Sequence, residues 1–162
     1  MSVPYVIRAF TPADQDWLKA YGIDQWGAEI VVGHGVIYHP AELPGFVAVH
    51  GDARIGQITY HIEGKACEIV TLSSDVRGIG IGSALIAAIR NVAQQHSCQR
   101  LWLITTNDNL NALKFYQKRG FCITAVYPNA VGKSREIKPE IPLIGNDGIP
   151  IRDEIELAII LP

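Results

Sequence analysis

Residues 67–83 combine a buried strand, a glycine-rich turn and the start of a helix, and they constrain the fold more than any other stretch. Residues 67–72 are mostly apolar and partly β-branched, which is typical of a strand buried in a sheet. Gly78, Gly80 and Gly82 follow at alternate positions, and apolar residues then recur at helical spacing. This order of elements presents backbone N–H groups and a helix N-terminus to an anion, usually a phosphate.

The spacing of the glycines excludes two common phosphate-binding loops. The dinucleotide fingerprint G-x-G-x-x-G or A is not met, because counting from Gly80 places Leu85 where a small residue is required. Residues 132–134 resemble the end of a P-loop, but the earlier glycine of that motif would fall on Tyr127. A different pattern must therefore account for the turn.

Arg77, Gly80 and Gly82 match the pattern [Q/R]-x-x-G-x-[G/A]. A second pattern, N-x-x-A-x-x-F-Y-x-K-x-G-F, is met at every position by residues 109–121. The two motifs occur in this order with one predicted strand, residues 100–105, between them. Together they resemble the GNAT superfamily of acyl-CoA N-acyltransferases, of which this chain is expected to form a subgroup.

The order of predicted elements agrees with this resemblance. The fold class is α/β (α+β): one GNAT-like domain over residues 1–162, with a central mixed, mostly antiparallel sheet and flanking helices. A helical crossover of this length makes the strands at 67–72 and 100–105 parallel neighbours. The resemblance implies that this pair splays apart. It is strongest over residues 67–121 and extends by topology over residues 5–127.

The N-terminal region is predicted in less detail. Residues 5–10 form a strand, and a helix follows with Thr11 as N-cap and its end near Gly22. Residues 23–44 are compatible with a second short helix or with a strand, and both alternatives stay open.

The C-terminal region contains a long connection, residues 128–152, with four prolines. Connections of this length are usually functional or mobile. Residues 131–137 are compatible with a short helix inside it, and residues 153–161 alternate as a final strand. Residues 138–142 and 148–154 match no general motif of the superfamily and are expected to mark the subgroup.

The resemblance implies acetyl-CoA as co-substrate, bound at the glycine turn. Backbone N–H groups of residues 78–83 would hold its pyrophosphate, and Arg77 would add a positive charge. The pantetheine would pair with the strand edge near Val70 and Leu72, and Asn109, a favoured N-cap residue, would also contact the cofactor. The implied cofactor-binding residues are Val70, Leu72, Arg77, Gly78, Ile79, Gly80, Ile81, Gly82, Ser83, Asn109 and Tyr116.

Tyr116 and Glu68 are the candidate catalytic residues. The motif position of Tyr116 implies a general acid that protonates the departing thiolate; the ordinary pKa of tyrosine, about 10, lies above that of a thiol, about 8.5. Glu68 interrupts an apolar strand and matches the glutamate that the family often places nine residues before the motif arginine, where it acts as a base through water. A structural or solvent-facing carboxylate is the alternative. Glu63 and His61 are weaker base candidates.

The implied activity is transfer of the acetyl group from acetyl-CoA to a primary amine by direct attack in a ternary complex, without an acyl-enzyme. The alternative is a non-catalytic domain of the same fold that binds or senses acyl-CoA. The acceptor stays open among small amines, amino acids, protein N-termini and lysine side chains. His34, Trp26 and Arg135 are candidates for lining its pocket, although each has a structural interpretation.

Composition restricts partners and compartment. Fourteen basic and sixteen acidic side chains give a net charge of −2, which argues against a nucleic-acid partner. No apolar run approaches the roughly 20 residues of a membrane span, and residues 1–10 lack the apolar core of a signal peptide, so we expect a cytoplasmic protein. Histidine and cysteine spacings indicate no metal site. A homodimer is possible, since dimers are common in the family.

Overall fold

Nine strands and four α-helices are present in residues 3–162, the part of the chain that the structure, a computed structural model, describes. In chain order they are β1 (Val6–Ala9), α1 (Gln15–Trp26), β2 (Val31–Gly33), β3 (Val36–Tyr38), β4 (Gly45–His50), β5 (Ala53–Glu63), β6 (Ala66–Ser74), α2 (Ile81–Gln95), β7 (Arg100–Thr106), α3 (Leu110–Lys118), β8 (Cys122–Tyr127), α4 (Ala130–Ile137) and β9 (Glu154–Ile160). No helix in the described part is both long and apolar enough to cross a membrane.

Seven strands form one sheet in the order β1-β4-β5-β6-β7-β9-β8, and β2 and β3 form a separate hairpin. β6 and β7 are parallel, and the other neighbours are antiparallel. The predicted mixed, mostly antiparallel sheet with flanking helices is therefore confirmed. The last strand lies between β7 and β8, so it pairs with both.

Helix α2 covers one face of the sheet. Its buried residues Ile81, Leu85 and Ile89 recur every four positions and pack in the main core with Ile58 of β5. Burying each such side chain contributes roughly 1.5–3 kcal/mol. Gly56 of β5 allows the close approach, because a Cβ there would lie 2.8 Å from Ile81 Cγ2.

The predicted end of the first helix near Gly22 is wrong. α1 continues to Trp26, and Gly27 ends it with a left-handed φ of 75° and an N–H bond to the Ile23 carbonyl. Gly22 packs closely, since a Cβ there would lie 3.1 Å from the Trp26 ring and from the Ala28 carbonyl oxygen and would require a small shift of its neighbours. The sequence left a second short helix or a strand open for residues 23–44. The structure contains the strand β2 in this region, followed directly by β3.

The parallel pair β6–β7 is short. It joins only Ala66–Glu68 to Arg100–Trp102, and beyond Glu68 the two strands no longer pair with each other. On its other side, β6 carries a bulge at Val70, because Ile69 and Thr71 face consecutive residues of β5. A bulge bends its strand and increases the local twist. The splay expected from the family resemblance is therefore present, and it starts beside this bulge.

Hydrogen bonds fix the long connection, residues 128–152, at several points. Asp108 accepts hydrogen bonds from the backbone N–H and side-chain amide of Asn146, at 3.0 and 3.2 Å. Asn107 accepts from the backbone N–H of Arg152 at 3.0 Å. Arg135 of α4 donates to three backbone carbonyls of the connection. Arg135 therefore holds this segment together, which is the structural interpretation of that residue.

Candidate active site

The glycine turn opens one side of a cavity of about 660 Å³, called here the glycine-loop cavity. Gly78 and Gly80 have φ values of 79° and 83°, which other residues adopt at a cost. Gly80 is the N-cap of α2, so the first N–H groups of the helix have no acceptor within it. The predicted cofactor residues that line this cavity are Leu72, Arg77, Gly78, Gly80, Ile81, Gly82, Ser83, Asn109 and Tyr116.

Two predicted cofactor residues lie elsewhere. Val70 lines the neighbouring cavity between the splayed strands rather than the glycine-loop cavity. Ile79 packs against the core, and its carbonyl accepts a hydrogen bond from the Tyr5 hydroxyl at 3.3 Å. Ile79 therefore supports the turn through its side chain and its carbonyl group.

Gly82 has a role that its motif position did not reveal. A Cβ at Gly82 would lie 2.9 Å from Phe115 Cζ, which is closer than real side chains approach. The glycine therefore lets α2 pack against the Phe115 ring of α3. This contact couples the glycine turn to the helix that carries Tyr116.

Arg119 is a residue that the sequence analysis missed. It lines the glycine-loop cavity, donates to Ser83 Oγ at 2.9 Å, and stacks with its Cζ 3.5 Å from the centre of the Phe115 ring. It adds a second guanidinium to that of Arg77 at the glycine-loop cavity. Position 119 is one of the positions at which the second motif allows any residue, so the motif did not predict a role for Arg119.

Tyr116 lies where two cavities meet. It lines both the glycine-loop cavity and a cavity of about 230 Å³ between β6 and β7, called here the splay cavity. Phe115 and Phe121 hold its ring edge-on, at 5.1 and 5.3 Å between centroids. Burial raises the pKa of Tyr116 well above its ordinary value. The hydroxyl therefore stays protonated and remains a donor throughout the physiological pH range.

The splay cavity is bounded by both diverging strands. Val70 and Leu72 line it from β6, and Ile104 lines it from β7. Asn109 closes one end and caps α3, since its side chain accepts from the Ala112 N–H at 3.2 Å. The predicted N-cap role of Asn109 is confirmed, and its side chain also borders both cavities.

Glu68 is buried beneath the β2–β3 hairpin, with 5% of its surface exposed. Tyr38 donates to Oε1 at 2.5 Å, and His34 Nε2 lies 3.1 Å from Oε2. His34 also contacts the Trp102 ring, with 5.1 Å between centroids. These donors offset the cost of burying a carboxylate. The structure thus brings His34 to Glu68, a contact the sequence did not predict.

The weaker base candidates lie near the surface. His61 is the cross-strand partner of Glu68 in β5, but its imidazole is 41% exposed. It lies 3.9 Å from the carboxylate of Glu63, which is 90% exposed. Neither lines the splay cavity, and Glu68 does not line it either, although its neighbour Ile69 does.

A third cavity, of about 410 Å³, lies next to α4 and is called here the α4 cavity. Trp26 and Val31 line both this cavity and the splay cavity, so the two adjoin. Trp26, which the sequence analysis named as a candidate for lining the pocket of the acceptor substrate, thus lies between them. Its polar lining includes Ser134 of α4, Lys138 directly after that helix, and Glu154 at the start of β9; Gln25, Thr106 and Glu140 are the other polar lining residues. Among residues 3–162, no group of three or more His, Cys, Asp or Glu side chains could hold a metal ion.

Comparisons with known proteins agree with this geometry. Residues 8–121 match the model of the acetyltransferase (GNAT) family. The chain is 52% identical over 132 residues to the Bacillus subtilis (strain 168) protein named Uncharacterized protein YdhI, covering 80% of this chain and 82% of that one. It superimposes on an IAA acetyltransferase from Bacillus cereus with a TM-score of 0.71 and 24% identity, covering 98% of this chain and 100% of that one. A GNAT family acetyltransferase from Elizabethkingia anophelis with acetyl-CoA bound gives 0.68 and 22%, covering 97% and 98%.

Proposed function

Because this chain belongs to the GNAT acetyltransferase family, we propose that it is an enzyme that transfers the acetyl group of acetyl-CoA to a primary amine. The observation that carries the proposal is the position of Tyr116, which lines both the glycine-loop cavity and the splay cavity. The similar protein from Elizabethkingia anophelis contains acetyl-CoA, which supports this choice of co-substrate.

The glycine-loop cavity fits the diphosphate of acetyl-CoA. The N–H groups that open α2 carry the positive end of the helix dipole. Arg77 and Arg119 add two positive charges at the same cavity. Gly78 and Gly80 expose backbone to the ligand, and a Cβ at Gly78 would have no protein atom within 4 Å. These groups would bind the phosphates and fix the direction in which the thioester arm leaves.

The unpaired edge of β6 fits the pantetheine arm. Beyond Glu68 this edge has no hydrogen-bonding partner on β7, so backbone groups near Val70 and Leu72 are available to an extended ligand. A backbone N–H near Leu72 would polarise the thioester carbonyl and stabilise the negative charge that develops on its oxygen.

Direct attack by the amine accounts for the chemistry without a covalent enzyme intermediate. The thiols of Cys67 and Cys98 are buried, and Cys122 is exposed on β8; none of the three lines the three cavities. The amine nitrogen forms the new C–N bond as the C–S bond breaks. Glu68 takes the proton of the amine through water, and Tyr116 donates a proton to the departing sulfur.

Two measurements test this proposal. Thermal unfolding with acetyl-CoA, CoA and NAD, on the wild type and on Gly80→Asp, tests the cofactor site. At 100 times Kd, a ligand should stabilise the wild type by about 2.7 kcal/mol. Release of thiol from acetyl-CoA with a panel of primary amines then tests catalysis. Stabilisation by CoA without amine-dependent thiol release would favour the non-catalytic sensing domain, and no stabilisation by CoA would reject both functions.

A further inference from the structure

Two polar groups in the α4 cavity lack the partners that buried groups normally have. Ser134 is 2% exposed, and its hydroxyl has no hydrogen-bond partner among residues 3–162. Lys138 is 6% exposed, and among residues 3–162 no carboxylate lies within ion-pair distance of its ammonium; burial lowers the pKa of Lys138, and the more distant charge of Glu140 opposes this shift. Buried hydroxyl and ammonium groups are expensive unless something satisfies them. Such a pair in a cavity therefore points to a ligand.

Ser134 and Lys138 are placed to act together. They are four residues apart at the end of α4, where the Lys138 N–H bonds to the Ser134 carbonyl at 2.8 Å. Lys138 is the C-cap residue that follows α4, and both residues line the α4 cavity. An ammonium and a hydroxyl on one wall are donors that suit a carboxylate.

Another part of the lining carries the opposite charge. Glu154 is 3% exposed, and its Oε2 accepts the backbone N–H of His34 at 3.0 Å. The same oxygen lies 4.0 Å from the Cβ position of Gly33, which is also 4.0 Å from Ile104 Cβ. Because Ile104 lines the splay cavity, Gly33 lies between the Glu154 carboxylate of the α4 cavity and a residue of the splay cavity. A carboxylate there suits an incoming ammonium group.

The net charge of the cavity lining favours a carboxylate-bearing ligand over a phosphate. The charged residues that line the cavity are Lys138, Glu140 and Glu154, which leave one negative charge in excess. A phosphate dianion would be repelled by this lining, whereas a zwitterion has a complementary group at each wall. The remaining lining is mainly apolar, with Val131, Ile141 and Pro142 among its residues, and it suits an uncharged side chain.

We propose that the α4 cavity binds an amino-acid-type acceptor, with its carboxylate on Lys138 and Ser134 and its amine directed past Glu154 towards the splay cavity. This inference rests on the proposed acetyl transfer and specifies its substrate class. It places the determinants of specificity in α4 and the connection after it, the region that no general motif of the family describes.

The test measures binding and does not depend on turnover. The CoA-saturated protein is titrated by calorimetry with glycine, L-leucine, L-phenylalanine, L-glutamate and L-lysine, each beside its decarboxylated amine. At least one amino acid should bind the wild type about tenfold or more tightly than its decarboxylated amine, as expected for a hydrogen bond to a charged group. Lys138→Met should remove this preference, and Ser134→Ala should reduce it. Lys133→Met, an exposed lysine on the same helix, is the matched control and should preserve it.

Failure of this inference is distinguishable from failure of the proposed function. Equal affinity for amino acids and their decarboxylated amines, no binding of any amino acid, or an unchanged preference in Lys138→Met would overturn it. Acetyl-CoA-dependent thiol release with the decarboxylated amines would in those cases leave the proposed acetyltransferase standing with a different acceptor, whereas stabilisation by CoA without any thiol release would count against the proposed function itself.

Discussion

Tyr38 donates a hydrogen bond to Glu68, with 2.5 Å between Tyr38 Oη and Glu68 Oε1. Burial and then this carboxylate raise the pKa of Tyr38 well above its ordinary value, so the hydroxyl stays a donor. His34 Nε2 contacts the second oxygen of Glu68 and must carry the hydrogen of that contact when the carboxylate is ionised, because a carboxylate only accepts. The β2–β3 hairpin thus holds the proposed base in one orientation.

Replacing Glu68 by Gln should lower kcat about 100-fold, in the range that a general base contributes. The affinity for acetyl-CoA should not change, because Glu68 does not line the glycine-loop cavity. Tyr38→Phe should lower kcat by about tenfold, since it removes one donor that orients the carboxylate. Steady-state kinetics with calorimetry of acetyl-CoA binding measures both effects. Glu63→Gln, at an exposed site, is the control. Normal turnover in Glu68→Gln would assign the base to another group.

Replacing Tyr116 by Phe should lower kcat by about 100-fold or more, because the leaving sulfur loses its proton donor. The ring contacts with Phe115 and Phe121 are kept, so the melting temperature and the affinity for acetyl-CoA should change little. Tyr127→Phe, at an exposed site on β8, is the control. Unchanged turnover in Tyr116→Phe would remove this residue from the proposed role.

Replacing Gly82 by Ala should destabilise the protein by about 1–3 kcal/mol, the usual cost of overpacking. The cause is the clash between the new Cβ and Phe115 Cζ. Phe115→Leu should relieve part of this cost, so urea unfolding of the two single variants and the double variant should show a favourable coupling energy. Gly132→Ala in α4 is the control, because a Cβ there meets no atom within 4 Å and alanine favours a helix. Additive costs would mean that Phe115 is not the cause.

Replacing Asp14 by Asn should destabilise the protein by about 2 kcal/mol at pH 7, towards the low side for a buried ion pair because Arg8 is partly exposed. Arg8, together with the Thr11 N–H and Arg54, holds the pKa of Asp14 well below its usual range. A folded pKa below the unfolded value of about 3.9 stabilises the protein above that pH, and the contribution is lost as the pH falls below it.

Urea unfolding at pH 7 and pH 3 measures this difference between wild type and Asp14→Asn. The gap in unfolding free energy should narrow at the lower pH. Asp16→Asn, at an exposed position in the first turn of α1, should lower the unfolding free energy by no more than about 1 kcal/mol at either pH. A gap of equal size at both pH values would show that packing, and not charge, accounts for the effect of Asp14.

Several elements were predictable because their signals are local. The period of apolar residues identified α2, and the cap residue Asn109 identified the start of α3. Thr11 and Asp14 form the predicted capping box before α1. The end of α1 was missed because Gly22 serves packing against Trp26, a contact that a glycine in a sequence does not reveal.

The sequence by itself determined the family, the order of elements and the glycine turn. These depend on residues that are close together in the chain, because helices and strands each have a regular spacing of apolar residues and the turn needs glycines that can adopt a left-handed φ. Only the tertiary structure decided which side chains surround the site. Tyr38 and His34 reach Glu68 from a separate hairpin, and Arg119 reaches Ser83 from the end of α3. The α4 cavity likewise forms from α1, β2, α4 and β9. Such contacts depend on how distant segments pack, so no local pattern encodes them.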